Sequence, residues 1–276
     1  MAKVAYFGPA GTFTEAAALR YAPEAELVPF PSIGAVAQAV ANGKADEGVV
    51  PIENSLEGSV NDTLDLLVHG TSLLIRRELV IPIEHCLLAP PGMRETDIRT
   101  IYSHPQALGQ CRAYIARRFP NAAVVPAMST AAAAEQLRLQ PDGAAAIGTL
   151  RAAQLYGMEV LARGIQDNPS NVTRFVALAH TDSPPTGNDK TSLCFWFNDD
   201  RPGLLHAALG EFARRKVNLV KVESRPTKQS LGQYVFLLDM AGHRLDPVVA
   251  EAIEALRRQV AVLKVFGSYP RYANGG

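Results

Sequence analysis

KVAYFGPAGTFTEAAALRY, residues 3–21, changes periodicity twice over a short distance. KVAYF is an apolar run of strand length. GPAGTFT is turn chemistry, and TEAAALRY repeats its apolar residues at helical spacing. Thr12 and Glu15 have the T-x-x-E spacing of a capping box, so the helix is expected to open at the turn. Strand, polar turn and capped helix make up the repeating unit of an α/β fold.

The unit recurs along the chain. ELVPF (26–30) reads as a strand, and Ser32 caps a helix with Ile33, Val36, Ala37 and Val40 on one face, stopped at Asn42-Gly43. EGVVPI (47–52) is a third strand, and Ser59 is expected to open a helix carrying Val60, Leu64, Leu67 and Val68, with Gly70 after it. TIYS (100–103), AVVPA (123–127) and GAAAIG (143–148) read as strands. SHPQALGQCRAYIARRF (103–119), STAAAAEQLRL (129–139) and TLRAAQLYG (149–157) read as the helices that follow them. Such alternation predicts parallel sheets. LLIRRELVIPIEHCLLA (73–89) separates two groups of strands, which implies two sheet lobes with a ligand crevice beyond the strand ends.

HTDSPPTGNDK (180–190) has the composition of a linker. Beyond it the order is strand TSLCFWF (191–197), helix RPGLLHAALGEFARR (201–215), strands VNLVKVES (217–224) and GQYVFLLDM (232–240), helix DPVVAEAIEALRRQ (246–259) and strand VAVLKVF (260–266). That βαββαβ order is the ferredoxin-like arrangement. TSLCFWF, taken as an edge strand, would invite pairing with another copy, so an oligomer is expected.

Composition limits the function. The chain has 276 residues, 47% hydrophobic and 20% charged, with 27 Lys plus Arg against 27 Asp plus Glu. A balanced charge gives no case for nucleic acid or an anionic membrane surface. Cys86, Cys111 and Cys194 are far apart and form no metal or disulfide framework, which fits a reduced cytoplasmic protein. The N-terminus lacks the pattern of a secretory signal, and 73–89 is cut by charges and Pro82 before it reaches membrane-spanning length. GPAGT is too short for a dinucleotide fingerprint and no phosphate-loop motif is present, so no cofactor and no metal are called for.

Five polar stretches stand at strand ends: GPAGTFT (8–14), PIENSLEGSV (51–60), SHPQALGQC (103–111), STAAAA (129–134) and NVTRF (171–175). Each alone reads most simply as a helix cap or a strand end. Together they would bring hydroxyls and helix N-termini to one crevice, an anion site without net charge. His104 is either a base or satisfied locally. Glu53 is either an acid or a support for Asn54 and Ser55. Arg174 is either a bidentate carboxylate ligand or half of a structural ion pair. Cys111 reads as a core residue.

In this order the five stretches resemble the prephenate dehydratases, and VNLVKVESRP (217–226) resembles the effector segment of the ACT domain that follows in that family. The likeness runs from about Val4 to Phe266, without the chorismate mutase part of fused relatives. It implies a two-lobed catalytic region (1–180) similar to type 2 periplasmic binding proteins, a linker (181–190) and an ACT domain (191–276). The implied reaction is decarboxylative dehydration of prephenate to phenylpyruvate in phenylalanine biosynthesis. L-Phenylalanine would inhibit as effector between paired subunits, in a homodimer or homotetramer.

The resemblance makes Thr173 and Arg174 catalytic. It assigns substrate binding to Thr12, Asn54, Ser55, Ser103, His104, Gln106, Ser129, Thr130, Asn171 and Phe175. Effector binding falls to Gly203, Leu204, Leu205, Asn218, Leu219, Glu223 and Ser224. The chain has Gly203-Leu204-Leu205 where the family usually has Gly-Ala-Leu, so a narrower effector pocket is expected. A threonine is a poor acid, and Thr173 is better suited to donating a hydrogen bond to the leaving hydroxyl. Two rivals are arogenate as substrate and a non-catalytic amino-acid sensor.

Overall fold

Lys3–Phe7 forms β1 and Phe13–Tyr21 forms α1, as the opening pattern requires. The computed structural model describes residues 1–139, 142–199, 201–227 and 233–272. Two compact units result: Met1–Asn61 with Leu79–Phe175, and Asp62–Glu78 with the chain from Val176 onward.

In the first unit β2 (Glu26–Phe30), α2 (Ile33–Ala41) and β3 (Glu47–Asn54) follow. β1 pairs in parallel with β2 and β3, and the apolar face of α2, Val36 and Val40, is fully buried. Ser32 caps α2 by accepting from the Ala35 N–H at 3.1 Å. The helix expected from Ser59 starts later. Ser59 pairs with Glu53 in a short strand, β4 (Gly58–Ser59), so its backbone is extended; α3 (Asn61–Asp65) follows and ends in a π-helical turn, Leu66–Gly70.

The segment read as a divider is itself two strands, β5 (Leu74–Pro82) and β6 (Cys86–Ala89). β7 (Thr100–Ser103) leads to α4 (Pro105–Gln110) and α5 (Arg112–Arg118), two helices where one was expected, because the backbone leaves helical geometry at Cys111 (φ −114°, ψ 17°). Then come β8 (Ala123–Pro126), α6 (Thr130–Gln136), β9 (Ala144–Gly148), α7 (Leu150–Tyr156), β10 (Glu159–Arg163) and β11 (Val172–Ala179). One sheet has the order β2-β1-β3-β11-β5, with β4 beside β3; the other has β10-β6-β9-β7-β8. The second sheet is mixed rather than parallel, since β6 runs antiparallel to both β9 and β10. Gly11 explains the glycine of the first turn. At φ +88° it lets the backbone pass so close to α7 that a Cβ would sit 3.2 Å from Ala152.

The second unit carries β12 (Asp189–Trp196), α8 (Leu204–Arg214), β13 (Leu219–Pro226), β14 (Tyr234–Ala241), α9 (Pro247–Arg257) and β15 (Val262–Pro270). Its sheet order β13-β14-β12-β15, antiparallel throughout, is ferredoxin-like. Gly232 and the turn before it lie outside the described residues. Leu193, Phe195, Phe212, Leu238, Met240 and Leu256 make the core between sheet and helices. TSLCFWF is not an edge: β12 is paired on both sides, which suits a strand whose residues 191–195 are all buried. The edges are β13 and β15.

The 62–78 segment is built into this unit. Lys264 Nζ donates to the carbonyls of Val68 and Thr71 at 3.3 and 2.7 Å, closing the π turn. Gly267, at φ +140°, passes so close to β5 that a Cβ would lie 2.3 Å from the Ile75 carbonyl oxygen. Gly267→Ala is therefore expected to destabilise the protein by about 1–3 kcal/mol. Urea denaturation checks this, and an unchanged midpoint would contradict the close approach.

Candidate active site

A cavity of about 510 Å³ opens in the first unit. All five polar stretches reach it, with Thr12, Asn54, His104, Gln106, Ser129, Thr130 and Thr173. From GPAGTFT, Phe13 and Thr14 join Thr12 in the lining. Phe7, Pro31, Pro51, Ile83, Met128 and Phe175 give it apolar walls. No Asp, Glu, Lys or Arg lines it among the described residues.

Local sequence sets these side chains. Thr12 caps α1, accepting from the Glu15 N–H at 3.3 Å and donating to the Pro9 carbonyl at 3.0 Å. Glu15 completes only half of a capping box: its carboxylate takes the Gly11 N–H and Arg151 instead of the Thr12 N–H. Ser129 caps α6 through the Ala132 N–H at 2.9 Å, and His104 Nδ1 caps α4 through the Gln106 N–H at 3.3 Å. Both sheet strands that meet here alternate. Asn54 on β3 and Thr173 on β11 share one face. Glu53 and Arg174, next to them, take the other face and pair at 3.4 Å.

A chain of amides holds Thr173. Asn54 Oδ1 accepts from the backbone N–H groups of Leu56 and Glu57 at 3.0 and 3.1 Å. Backbone N–H groups only donate, so the Asn54 amide nitrogen must face the other way. There it donates to Asn171 Oδ1 and to Thr173 Oγ1, both at 2.8 Å. Asn171 in turn donates its Nδ2 to Gln110 Oε1 at 2.9 Å. Thr173 Oγ1 is thus an acceptor inside the protein, and its own hydrogen is left for the cleft.

The remaining expected residues are spread over several places. Phe175 lines the cavity; Asn171 lies behind it as part of the amide chain. Ser55 is exposed and accepts the Val172 N–H at 3.0 Å, tying β3 to β11. Ser103 is fully buried and donates to the Ile147 carbonyl at 2.6 Å, away from the lining. Cys111 is buried, its thiol pushed up to about 12 chiefly by burial, with Asp167 adding, which suits a core residue. In the second unit Gly203 is left-handed at φ +88° before α8, and Leu204 is half-buried. Leu205 and Leu219 pack on the core, the Asn218 carbonyl accepts the Ala241 N–H, and Glu223 pairs with Lys221 at 3.2 Å. Ser224 is exposed beside Phe236.

Sequence reading missed Gln110 and His85. Gln110 had a signal, standing one helical turn after Gln106 in SHPQALGQC. His85 had none beyond a histidine among apolar residues. It lines the cavity, lies 2.9 Å from Gln110 Oε1 through Nε2, and meets the Phe13 ring edge-on at 5.5 Å. Burial pulls its imidazole below the usual histidine range, against the Gln110 hydrogen bond.

Residues 4–183 match the family described as prephenate dehydratase. The chain belongs to the prephenate dehydratase family. Residues 197–258 match the ACT domain. A prephenate dehydratase of Mycolicibacterium vanbaalenii is 42% identical over 287 residues, covering 98% of this chain and 91% of that protein. The crystal structure of prephenate dehydratase in complex with L-Phe from Arthrobacter aurescens is 40% identical with a TM-score of 0.90, covering 98% and 90%. A structure described as GqqA, a novel type of quorum quenching acylase, is 32% identical with a TM-score of 0.89, covering 98% of both chains.

Ser103, outside the lining, gives a test of the geometry. Ser103→Ala is expected to cost about 1–2 kcal/mol of stability through the orphaned Ile147 carbonyl. Its KM for prephenate should stay within about twofold of wild type, since no substrate contact is lost. A large rise in KM without loss of stability would show that Ser103 reaches the substrate.

Proposed function

We propose that this cleft removes carbon dioxide and water from prephenate, with the Thr173 hydroxyl as hydrogen-bond donor to the leaving ring oxygen. The direction of one bond carries the reading: Thr173 Oγ1 accepts from Asn54, so its O–H is available to the substrate. In the reaction the bond from ring to carboxylate breaks and its electrons enter the ring. The C–O bond opposite then breaks, the ring becomes aromatic, and the departing hydroxide takes a proton to become water. A donor placed on that oxygen acts where negative charge develops, which is where such a bond counts most. The proton itself comes from the solvent pool, because a threonine is too weak an acid to supply it.

A cleft lined by neutral groups suits a decarboxylation. A guanidinium on the departing carboxylate would stabilise the charge that must leave. Arg174, turned to Glu53, supports the β3–β11 pair in this reading and does not clamp substrate. The apolar walls desolvate the departing carboxylate, while Thr12, Gln106, Ser129 and Thr130 offer donors to the carboxylate that stays. The same neutrality favours prephenate over arogenate, whose ammonium group would meet no acidic lining side chain among the described residues.

We take residues 1–180 as the catalytic region, 181–190 as linker and 191–276 as the ACT region that binds L-phenylalanine. Gly203, Leu204 and Leu205 at the start of α8, with Asn218, Leu219, Glu223 and Ser224 around β13, would form the effector site. The edge strand β13, with Val220 41% and Val222 50% exposed, supports association of copies as a homodimer or homotetramer. No helix among the described residues is long and apolar enough to cross a membrane. We take the cytoplasm as the site of action, where free Cys86, Cys111 and Cys194 persist reduced.

Incubation with prephenate should yield phenylpyruvate, and arogenate should turn over more slowly. Acylase activity in place of dehydration, as one structural relative is described, would replace this reading. Thr173→Val is expected to lower kcat roughly 100- to 1000-fold, and Thr173→Ser to restore most of it. Near-native turnover by the valine variant would remove Thr173 from the chemistry. L-Phenylalanine should inhibit, and Leu204→Ala should tighten its binding by about tenfold. Equilibrium dialysis measures this; no binding to either protein would end the effector assignment.

A further inference from the structure

His85 is only 3% exposed, yet it borders the cavity. Its neighbours fix the position of its ring hydrogen. Gln110 Oε1 already receives the Asn171 amide, whose orientation follows from the backbone-anchored Asn54. An oxygen cannot donate, so His85 Nε2, 2.9 Å from it, must carry the hydrogen. The buried ring is neutral, which leaves Nδ1 as a bare lone pair. That atom is buried and has no hydrogen-bond partner. A side chain kept only for its volume would be better served by phenylalanine, which strands no polar atom.

We propose that His85 is a positioning residue of the dehydration, whose Nε2–H pins Gln110 and thereby the amide chain behind Thr173. Without that donor, Gln110 is free to turn and offer its own NH₂ to Asn171. Asn171 would answer by turning as well, and its NH₂ would then oppose the NH₂ of Asn54. Asn54 would be pushed off Thr173 Oγ1, and the threonine hydroxyl would lose its single direction. Amides pass on orientation and not protons, so His85 acts on geometry and supplies no acid. The proposal rests on the assignment of Thr173 as donor.

The test compares His85→Gln, His85→Asn and His85→Phe with prephenate as substrate. A glutamine places its NH₂ where the imidazole Nε2 stood, whereas an asparagine ends where Nδ1 stood. His85→Gln is expected to keep kcat within about threefold. His85→Asn and His85→Phe should lose about tenfold or more in kcat, with KM within about twofold. Equal loss in the glutamine and asparagine variants, or loss confined to KM, overturns the proposal. The two amide variants carry the comparison if the phenylalanine variant does not fold. In a Thr173→Val background, His85→Asn should cost nothing further, and an additive loss also overturns it. Should Thr173→Val alone keep its turnover, the Thr173 assignment fails, a result separate from the glutamine–asparagine contrast. Nitrogen NMR of histidine-labelled wild-type protein should show His85 protonated at Nε2; protonation at Nδ1 contradicts the chain.

Discussion

Asn54 cannot turn its amide around. Two backbone N–H groups, from Leu56 and Glu57, hold its oxygen, and the tight turn after β3 supplies both. The NH₂ must then point at Asn171 and Thr173. Every polarity in the amide chain follows from that one constraint, as far as Gln110 on α4. A hydroxyl could otherwise donate or accept. At Thr173 the choice is made by a residue over a hundred positions earlier in the chain.

Strand alternation makes the same constraint possible. Ser55 and Val172 exchange two hydrogen bonds, which sets the register where β3 meets β11. That register puts Asn54 beside Thr173 and Glu53 beside Arg174 on opposite faces. A slip of one residue would send Arg174 into the cleft and Thr173 to the ion pair. The charged pair thus lies on one face, and the side chains of Asn54 and Thr173 on the other are neutral.

This division explains what could be read from the sequence. Strand–turn–helix units were legible because each carries local signals: caps at Thr12, Ser32 and Ser129, and apolar spacing on α2. The βαββαβ order was legible for the same reason. Pairing partners were not. Nothing local in TSLCFWF says that strands arrive on both its sides, or that 73–89 supplies one strand to each lobe's sheet. Ser103 looked like a ligand contact because it precedes a helix, but its hydroxyl is consumed by a carbonyl from β9. Asn171 and His85 bond to partners distant in sequence, and no spacing rule reaches across such gaps.

A neutral cleft for a doubly charged substrate looks like a poor fit until the fate of each charge is considered. One carboxylate persists in the product, and dipolar donors can hold it in the ground state and after. The other must lose its charge to the ring, and any cation fixed beside it would stabilise the reactant more than the transition state. The third site of charge is the departing oxygen, which is neutral at the start and becomes anionic only as the reaction proceeds. A single oriented donor there stabilises what develops and not what was bound. In the proposed reading the apolar walls of Phe7, Ile83 and Phe175 desolvate the departing carboxylate. Apolar walls and a Thr173 hydroxyl free to donate suit the second and third demands, and the neutral donors of Thr12, Gln106, Ser129 and Thr130 suit the first.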